Sequence, residues 1–335
     1  MFGSASKLWH YARVFYNWQI RKQARVAYMP EDVSIEITNV CNFKCAFCPQ
    51  SDPNHHNIVP KSYIDPETAE AILRKLRDGG VRTNVIHWTH DGEPFMNKKF
   101  HEICAKGLQH GFNNMYFATN GMLCTDDRVR QLPKKDCKYT FTIDYCFDKE
   151  FYESVRGTRN SWLSVKNNVT NILENDELSH ISIELTDISA FGIDDRDLVI
   201  ANRDGLKGLF PASNRLKVFT KTFHNATGFL PSKKKASGAY NLCPYPWTSL
   251  SVASNGDVVA CCRDLQHKTV LGNLMQQSLP EIWNGEPMMV LRRNLIDRTP
   301  EKSAACQGCD LPYDMDKFSW RNIIKTARGR LQLLS

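Results

Sequence analysis

The segment EITNVCNFKCAFCPQ, residues 36–50, carries the residues whose types and spacing point most directly to chemistry. Cys41, Cys45 and Cys48 follow a short apolar stretch, VSIEIT, that predicts a strand. Three thiolates spaced C-x3-C-x2-C can hold three irons of a [4Fe-4S] cluster and leave the fourth iron open to a ligand that the protein does not supply. No fourth cysteine follows within this loop to close the cluster.

A second group of cysteines lies nearer the C-terminal end of the sequence. Its members form C-x17-C followed later by C-x2-C: Cys243, Cys261, Cys306 and Cys309. Four thiolates are a complete ligand set, either for one closed [4Fe-4S] cluster or for one zinc ion. Zinc is also the alternative for the first three cysteines, with His55 or His56 as the fourth ligand.

The composition fits an enzyme of a reducing, cytoplasmic compartment. A chain of 335 residues can bury a large core without disulfides, so its 12 cysteines indicate metal or redox chemistry. The net charge of +7 is spread along the chain, which favours a solvated basic surface over nucleic-acid binding. Residues 7–26 form an amphipathic pattern, and we expect this helix to dock on its own domain or on a second subunit rather than on a membrane surface.

Strand-like and helix-like patterns alternate from residue 33 to about residue 221. The segment DPETAEAILRKLRDGG predicts a helix with Asp65 as N-cap and Pro66 at the first helical position. Right-handed crossovers would assemble the units into a parallel sheet or partial barrel, with functional residues at the carboxyl ends of the strands. The predicted strands are VSIEIT, TNVIHW, NMYFAT, KYTFTID, ISIEL and RLKVFTK.

Taken together, these motifs resemble the radical S-adenosylmethionine (SAM) enzymes over roughly residues 31–225. CNFKCAFC is similar to the family's cluster loop, GEP to its segment that receives the amino group of SAM, and ATNG to its third-strand turn. FTIDY resembles the strand end near the ribose and methionine, and FYESVRG supplies an arginine for the SAM carboxylate. The resemblance implies that these residues bind the cofactor: Phe47, Gly92, Glu93, Pro94, Asn120, Thr142, Asp144 and Arg156.

The resemblance also implies a fold and a chemistry. The fold would be α/β, a partial parallel (β/α)6 radical SAM barrel with a small C-terminal auxiliary-cluster domain. SAM would chelate the open iron, and one electron from a flavodoxin or ferredoxin would cleave it to a 5′-deoxyadenosyl radical that abstracts hydrogen from substrate. Two positions depart from the family pattern: Asp91 replaces a glycine before GEP, and Thr142 stands where serine is commoner.

The C-terminal part resembles a shortened SPASM domain, the twitch type, which carries one auxiliary [4Fe-4S] cluster. CPYPW, NGDVVACCRD, LGNL and EIWNG match that region, and the pattern favours Cys261 over Cys262 as a ligand. The predicted organisation is an N-terminal helical extension at 1–30, a radical SAM core at 31–227, a linker at 228–241, the auxiliary domain at 242–312 and a basic helical tail at 313–335. A closed auxiliary cluster would accept or relay an electron from a substrate radical.

The resemblance favours a small polar substrate, a sugar, cyclitol or nucleotide sugar, which the enzyme would oxidise or epimerise. Cys146 is a candidate hydrogen-atom donor for epimerisation, with a buried structural thiol as the alternative. A peptide-modifying maturase is the second hypothesis, although the first 30 residues are short for a leader-binding domain. A zinc-binding module without catalysis is a third.

Overall fold

The computed structural model describes residues 10, 12–192, 195–225, 227–230 and 240–313. The strands of this part are β1 (Asp32–Ile35), β2 (Val85–His87), β3 (Asn114–Thr119), β4 (Lys138–Tyr145), β5 (Ile181–Asp187), β6 (Leu216–Thr220), β7 (Ser249–Val252), β8 (Asp257–Val259) and β9 (Val270–Asn273). Its α-helices are α1 (His55–Ile58), α2 (Pro66–Asp78), α3 (Phe100–Gln109), α4 (Asp126–Val129), α5 (Lys149–Arg156), α6 (Ser161–Glu174), α7 (Arg196–Lys207), α8 (Tyr245–Thr248), α9 (Leu279–Trp283) and α10 (Glu286–Ile296).

All the strands belong to one sheet in the order β6-β5-β4-β3-β2-β1-β7-β8-β9. Strands β1 to β6 are parallel, which confirms the predicted parallel α/β core. Strand β7 adds to the other side of β1, also in parallel, and β8 and β9 follow antiparallel. The cysteine-bearing C-terminal part therefore extends the sheet of the core.

The two faces of the core sheet differ in chemistry because side chains alternate along each strand. One face is apolar and fully buried against the helices, with Ile35, Phe117, Phe141 and Ile183 at 0% exposure. We call the other face the polar face. The register places these residues on it: Asp32, Ser34, His87, Tyr116, Ala118, Thr140, Thr142, Asp144, Ser182, Glu184, Thr186, Lys217 and Phe219.

The predicted elements form where their local signals place them. Strand β3 matches the predicted NMYFAT segment, and α2 begins after Asp65, whose carboxylate accepts a hydrogen bond from the Thr68 amide at 2.7 Å. The N-terminal segment packs on its own domain, as expected, since Val14 and Trp18 are buried in the core. Most of the predicted linker and all but the first residue of the predicted tail lie outside the described residues.

In the described part of the chain, no helix is both long enough and apolar enough to cross a membrane.

Replacing the N-cap of α2 tests the local basis of this fold. Asp65→Ala removes the acceptor of the Thr68 amide and should destabilise the protein by about 1 kcal/mol, visible as a lower midpoint in anaerobic thermal unfolding. Asp65→Asn, which keeps a capping oxygen, is the control and should melt close to the wild type. Equal midpoints for all three proteins would show that the cap contributes nothing.

Candidate functional site

The structure brings Cys41, Cys45 and Cys48 together on the loop that follows β1. Burial raises the pKa of the Cys41 thiol to about 12 and raises those of the other two as well, and the neighbouring thiols add to the effect for Cys41 and Cys48. Thiolates gathered in such a place need a positive charge among them. The donor set therefore fits a metal centre with three sulfur ligands.

Helix α5 holds one side of this cluster loop. The Ala46 amide donates to the Val155 carbonyl at 2.8 Å, and the Lys44 amide to the Arg156 carbonyl at 3.3 Å. Gly157 ends the helix with φ of 61°, and a Cβ there would lie 2.2 Å from the Lys44 carbonyl oxygen. The glycine of VRG is thus required both by its left-handed backbone and by the close approach of the cluster loop.

The GEP segment holds the other side of the loop. The Glu93 amide donates to the Val40 carbonyl at 2.9 Å. Gly92 has φ of 70°, and a Cβ on it would lie 2.3 Å from the Thr38 carbonyl oxygen. Pro94 begins a short 3-10 helix, Pro94–Met96, directly after this contact.

The Glu93 carboxylate links the GEP segment to the turn after β3. It accepts hydrogen bonds from the Thr119 hydroxyl at 2.7 Å and the Asn120 amide at 2.6 Å, and it is 1% exposed. Burial raises the pKa of this carboxyl group. The Asn120 side chain in turn donates to Asn42 of the cluster loop at 2.7 Å. Both predicted motifs, GEP and ATNG, therefore converge on the cluster loop.

Asp91 stands where the family has a glycine, and its carboxylate contacts residues that follow the cluster cysteines in sequence. Its carboxylate contacts His55 Nε2 at 2.6 Å and accepts a hydrogen bond from Gln50 at 2.9 Å. The aspartate thus adds buried hydrogen bonds between the start of the GEP segment and the end of the cluster loop. His55, a possible zinc ligand from the sequence, directs its Nε2 to Asp91, and His56 Nδ1 lies 3.1 Å from the Val59 carbonyl oxygen.

A buried set of charges lies at the carboxyl end of β4. Asp144 contacts the Arg156 guanidinium at 3.0 Å and the Lys221 ammonium at 2.7 Å, and it accepts a hydrogen bond from Thr186. Burial alone would raise the pKa of Asp144, but the Lys221 and Arg156 charges hold it below its ordinary value. Sequence reasoning missed Lys221, although its position directly after β6 was a signal.

Arg156 has the character expected of an anion-binding residue. It is 4% exposed, and its Nε has no hydrogen-bond partner in the described part of the protein. Despite burial, the nearby Cys45 and Asp144 raise the pKa of this guanidinium, which stays charged. A buried donor without an acceptor, beside three thiols, fits the predicted pairing of Arg156 with the SAM carboxylate.

The remaining predicted residues of this site differ in their surroundings. Phe47 packs in an aromatic group with Phe191 and Phe223, at ring distances of 5.6 and 5.2 Å. Thr142 lies on the polar face. Cys146 is 1% exposed and belongs to the hydrophobic core, where burial raises the pKa of its thiol to about 12. Its surroundings match the structural alternative, and the donor role stays a prediction.

The second group of cysteines also comes together. The Cys243 thiol interacts electrostatically with Cys306 and Cys309, and the Cys261 thiol with Cys243 and Cys306. Cys262 is exposed; it interacts with its neighbour Cys261 and with Arg263 and Asp32, whereas the Cys261 thiol also interacts with the more distant Cys243 and Cys306. These contacts support Cys261 as the fourth ligand.

Arg263 supplies a positive charge beside this second group of thiols. It is 8% exposed, its Nη1 has no hydrogen-bond partner among the described residues, and it interacts with Cys261 and Cys309. An iron–sulfur cluster held by four thiolates carries a net negative charge. The buried guanidinium of Arg263 would balance part of that charge.

A histidine and carboxylate cluster joins the two regions. Glu36, His90 and His267 each present a ligand atom within 4.8 Å of the others. His90 Nδ1 lies 3.2 Å from Glu36, and His90 Nε2 lies 3.4 Å from the carbonyl oxygen of Cys261. The Ser254 hydroxyl also donates to Glu36 at 2.8 Å. These contacts give the cluster a structural role between the GEP segment and the second cysteine group.

Two family models match the chain where the cysteines lie. The Radical SAM superfamily matches residues 35–180, and SPASM, an iron–sulfur cluster-binding domain, matches residues 243–310. The chain is a radical SAM enzyme with a C-terminal SPASM domain. The membership confirms the predicted cofactors: a SAM-binding [4Fe-4S] cluster, SAM and an auxiliary iron–sulfur cluster.

Individual proteins show the same likeness. The chain is 21% identical over 281 residues to the S-adenosyl-L-methionine-dependent 2-deoxy-scyllo-inosamine dehydrogenase of Niallia circulans, covering 83% of this chain and 92% of that protein. The crystal structure of BtrN with AdoMet and 2-DOIA superposes with a TM-score of 0.60 at 18% identity, covering 85% of this chain and 94% of that one. Streptococcus suis SuiB bound to its precursor peptide SuiA gives a TM-score of 0.54 at 16% identity, covering 97% and 79%. The structural likenesses confirm the fold.

Substituting the first cysteine group tests its assignment as the SAM-cluster ligands. Cys41→Ala, Cys45→Ala or Cys48→Ala should each abolish 5′-deoxyadenosine formation from SAM and dithionite, because a cluster with two thiolates is not retained. The assay is chromatography of anaerobic reactions, with iron content measured in parallel. Cys137→Ala, outside both groups, is the control, and 5′-deoxyadenosine from any of the three variants would contradict the assignment.

The adjacent pair in the second group gives an internal comparison. Cys261→Ala should lose roughly half of the bound iron and sulfide, the share of one of two [4Fe-4S] clusters, whereas Cys262→Ala should keep both clusters. Iron and sulfide analysis with electron paramagnetic resonance of the reduced protein measures this. The reverse ranking would move the ligand to Cys262.

Proposed function

We propose that this enzyme oxidises a hydroxyl group of a small polyhydroxylated substrate of the sugar or cyclitol type. The observation that carries the proposal is the chemistry of the polar face. Below the level of Asp144, its side chains offer hydroxyl groups for which the described residues provide no hydrogen-bond partner: Tyr116, Thr140 and Ser182. Polar groups in a partly enclosed site need partners, and a polyol supplies them.

The position of this face suits hydrogen abstraction. The predicted SAM-binding residues lie at the carboxyl ends of the strands, and successive residues along a strand are about 3.3 Å apart. Tyr116 and Thr140 pair in register and lie four residues below Asp144. A substrate held there would lie directly beneath a cofactor at the strand ends.

The bound cluster and SAM supply a 5′-deoxyadenosyl radical when reduced. The protein's part is to hold the target carbon under the cofactor and to keep water away from it. Loss of one hydrogen atom, followed by one proton and one electron, converts a secondary alcohol to a ketone. The four-thiol set with Arg263 offers a closed cluster that accepts this electron.

Two further observations support oxidation. The Niallia circulans relative is named as a dehydrogenase, and the likeness covers most of both chains. Epimerisation instead requires a hydrogen donor to the substrate radical, and the candidate thiol, Cys146, is buried in the apolar core. A peptide substrate, the second hypothesis, is an outcome that the product analysis below would reveal.

Anaerobic turnover with a panel of substrates tests the proposal. Wild-type enzyme incubated with SAM, dithionite and a set of cyclitols, amino sugars and nucleotide sugars should give one product that is two hydrogen atoms lighter than its substrate, with 5′-deoxyadenosine. Cys306→Ala should still cleave SAM but form at least tenfold less product, because the electron acceptor is damaged. Mass spectrometry measures both.

Two results would count against oxidation, and a third would count against the electron-accepting role of the second cluster. A product that has the mass of its substrate in H2O and gains one deuterium in D2O would mean epimerisation. Turnover of a peptide with no reaction of the polyols would mean peptide modification. Undiminished product in Cys306→Ala would remove the proposed role of the second cluster.

A further inference from the structure

On the polar face, Glu184 is a carboxylate that makes no hydrogen bond or ion pair with the residues that the structure describes. Asp32 lies 3.3 Å from His87, Glu36 lies 3.2 Å from His90, and Asp144 is paired with two cations. Glu184, in the middle of β5, has neither a hydrogen bond nor an ion pair with any residue of the described structure. The Glu184 side chain is partly exposed, so its carboxylate is open to a bound ligand.

The two neighbouring strands, β4 and β6, provide no hydrogen-bond or ion-pair partner for the Glu184 carboxylate. Its register partner on β6 is Lys217, whose exposed ammonium lies beyond ion-pair distance, and its partner on β4 is the uncharged Thr142. Burial raises the pKa of Glu184, and Lys217 offsets only part of this effect. Arg156 and Lys221, at the carboxyl ends of the strands, are bound to Asp144.

The depth of Glu184 places it with the hydroxyl groups assigned to the substrate. It lies two residues below Thr186, which bonds Asp144, and therefore about 7 Å below the level of the buried charge set. Ser182 follows on the same face of β5, and Thr140 pairs with it in register. The carboxylate and the unpartnered hydroxyls thus form one continuous lining.

We propose that Glu184 binds a protonated amine of the substrate, so that the enzyme acts on an amine-bearing cyclitol or sugar. This inference rests on the proposed function and narrows its substrate class. An ammonium group would supply the missing countercharge and up to three donors, one of which a carboxylate accepts in a charge-assisted hydrogen bond. A neutral hydroxyl would satisfy the hydrogen bond but leave the charge uncompensated.

The test compares two probes that differ in one group, an aminocyclitol with a single primary amine and the same cyclitol with a hydroxyl in its place. Binding is measured by anaerobic calorimetry to holoenzyme loaded with SAM and without reductant, so that no turnover occurs. Wild type should bind the amine on the order of ten- to a hundredfold more tightly than the hydroxyl analogue. Glu184→Gln, which keeps the shape but loses the charge, should remove this preference.

Matched variants separate the charge from its neighbours. Glu184→Asp keeps the charge on a shorter side chain and should retain part of the preference for the amine. Lys217→Gln changes one charge at the adjacent register position and should keep the preference. If Lys217→Gln removes the preference as fully as Glu184→Gln does, Glu184 serves to balance Lys217 and the inference is wrong.

The competing ligand for Glu184 is SAM itself, because Thr142 beside it is a predicted cofactor contact. The KM for SAM in substrate-free cleavage distinguishes the two. A tenfold rise of this KM in Glu184→Gln, with the amine preference intact, would assign the carboxylate to the cofactor. Absence of binding by either probe to the wild type would also overturn the inference.

The two proposals fail in different ways. Glu184-dependent binding of the amine without any product lighter by two hydrogen atoms would keep this inference and remove the proposed oxidation. Oxidation of a polyol with no preference for the amine would do the opposite.

Discussion

The cluster loop has almost no regular structure of its own, so its shape depends on backbone contacts from its neighbours. The Glu93 amide fixes it at Val40, and helix α5 fixes it through hydrogen bonds at residues 44 and 46. At both contacts a glycine with positive φ admits the approach, where a Cβ would stand within 2.3 Å of a carbonyl oxygen. The position of the three sulfur donors is therefore set by two segments far apart in sequence.

Charge balance organises the space around that loop. Arg156 and Lys221 meet Asp144, His55 meets Asp91, and hydrogen bonds from Thr119 and Asn120 satisfy Glu93. Burying these groups is tolerable because each has partners, and their mutual contacts tie together the ends of the strands. Arg156 Nε is a buried donor with no hydrogen-bond partner among the described residues, which fits a bound anion beside the cluster loop.

The second cysteine group is coupled to the first through the sheet itself. Strand β7 pairs with β1 over four residues, and His90, from the end of β2, contacts both Glu36 and the carbonyl of Cys261. Strand pairing therefore fixes the position of the second cysteine group relative to the first. The C-terminal part thus works as an extension of the core sheet.

The sequence by itself determined the parallel α/β core, the strand NMYFAT, the N-cap at Asp65 and both cysteine groups, because these depend on local periodicity, capping and ligand spacing. The likeness to a family, confirmed by the matching models, determined the cofactors. Only the tertiary structure decided that Lys221 neutralises Asp144, that Asp91 is held by His55, that β7 continues the core sheet and that Glu184 makes no ion pair with the described residues. Those facts depend on which strands become neighbours, and side chains more than 30 residues apart carry no local signal of their pairing.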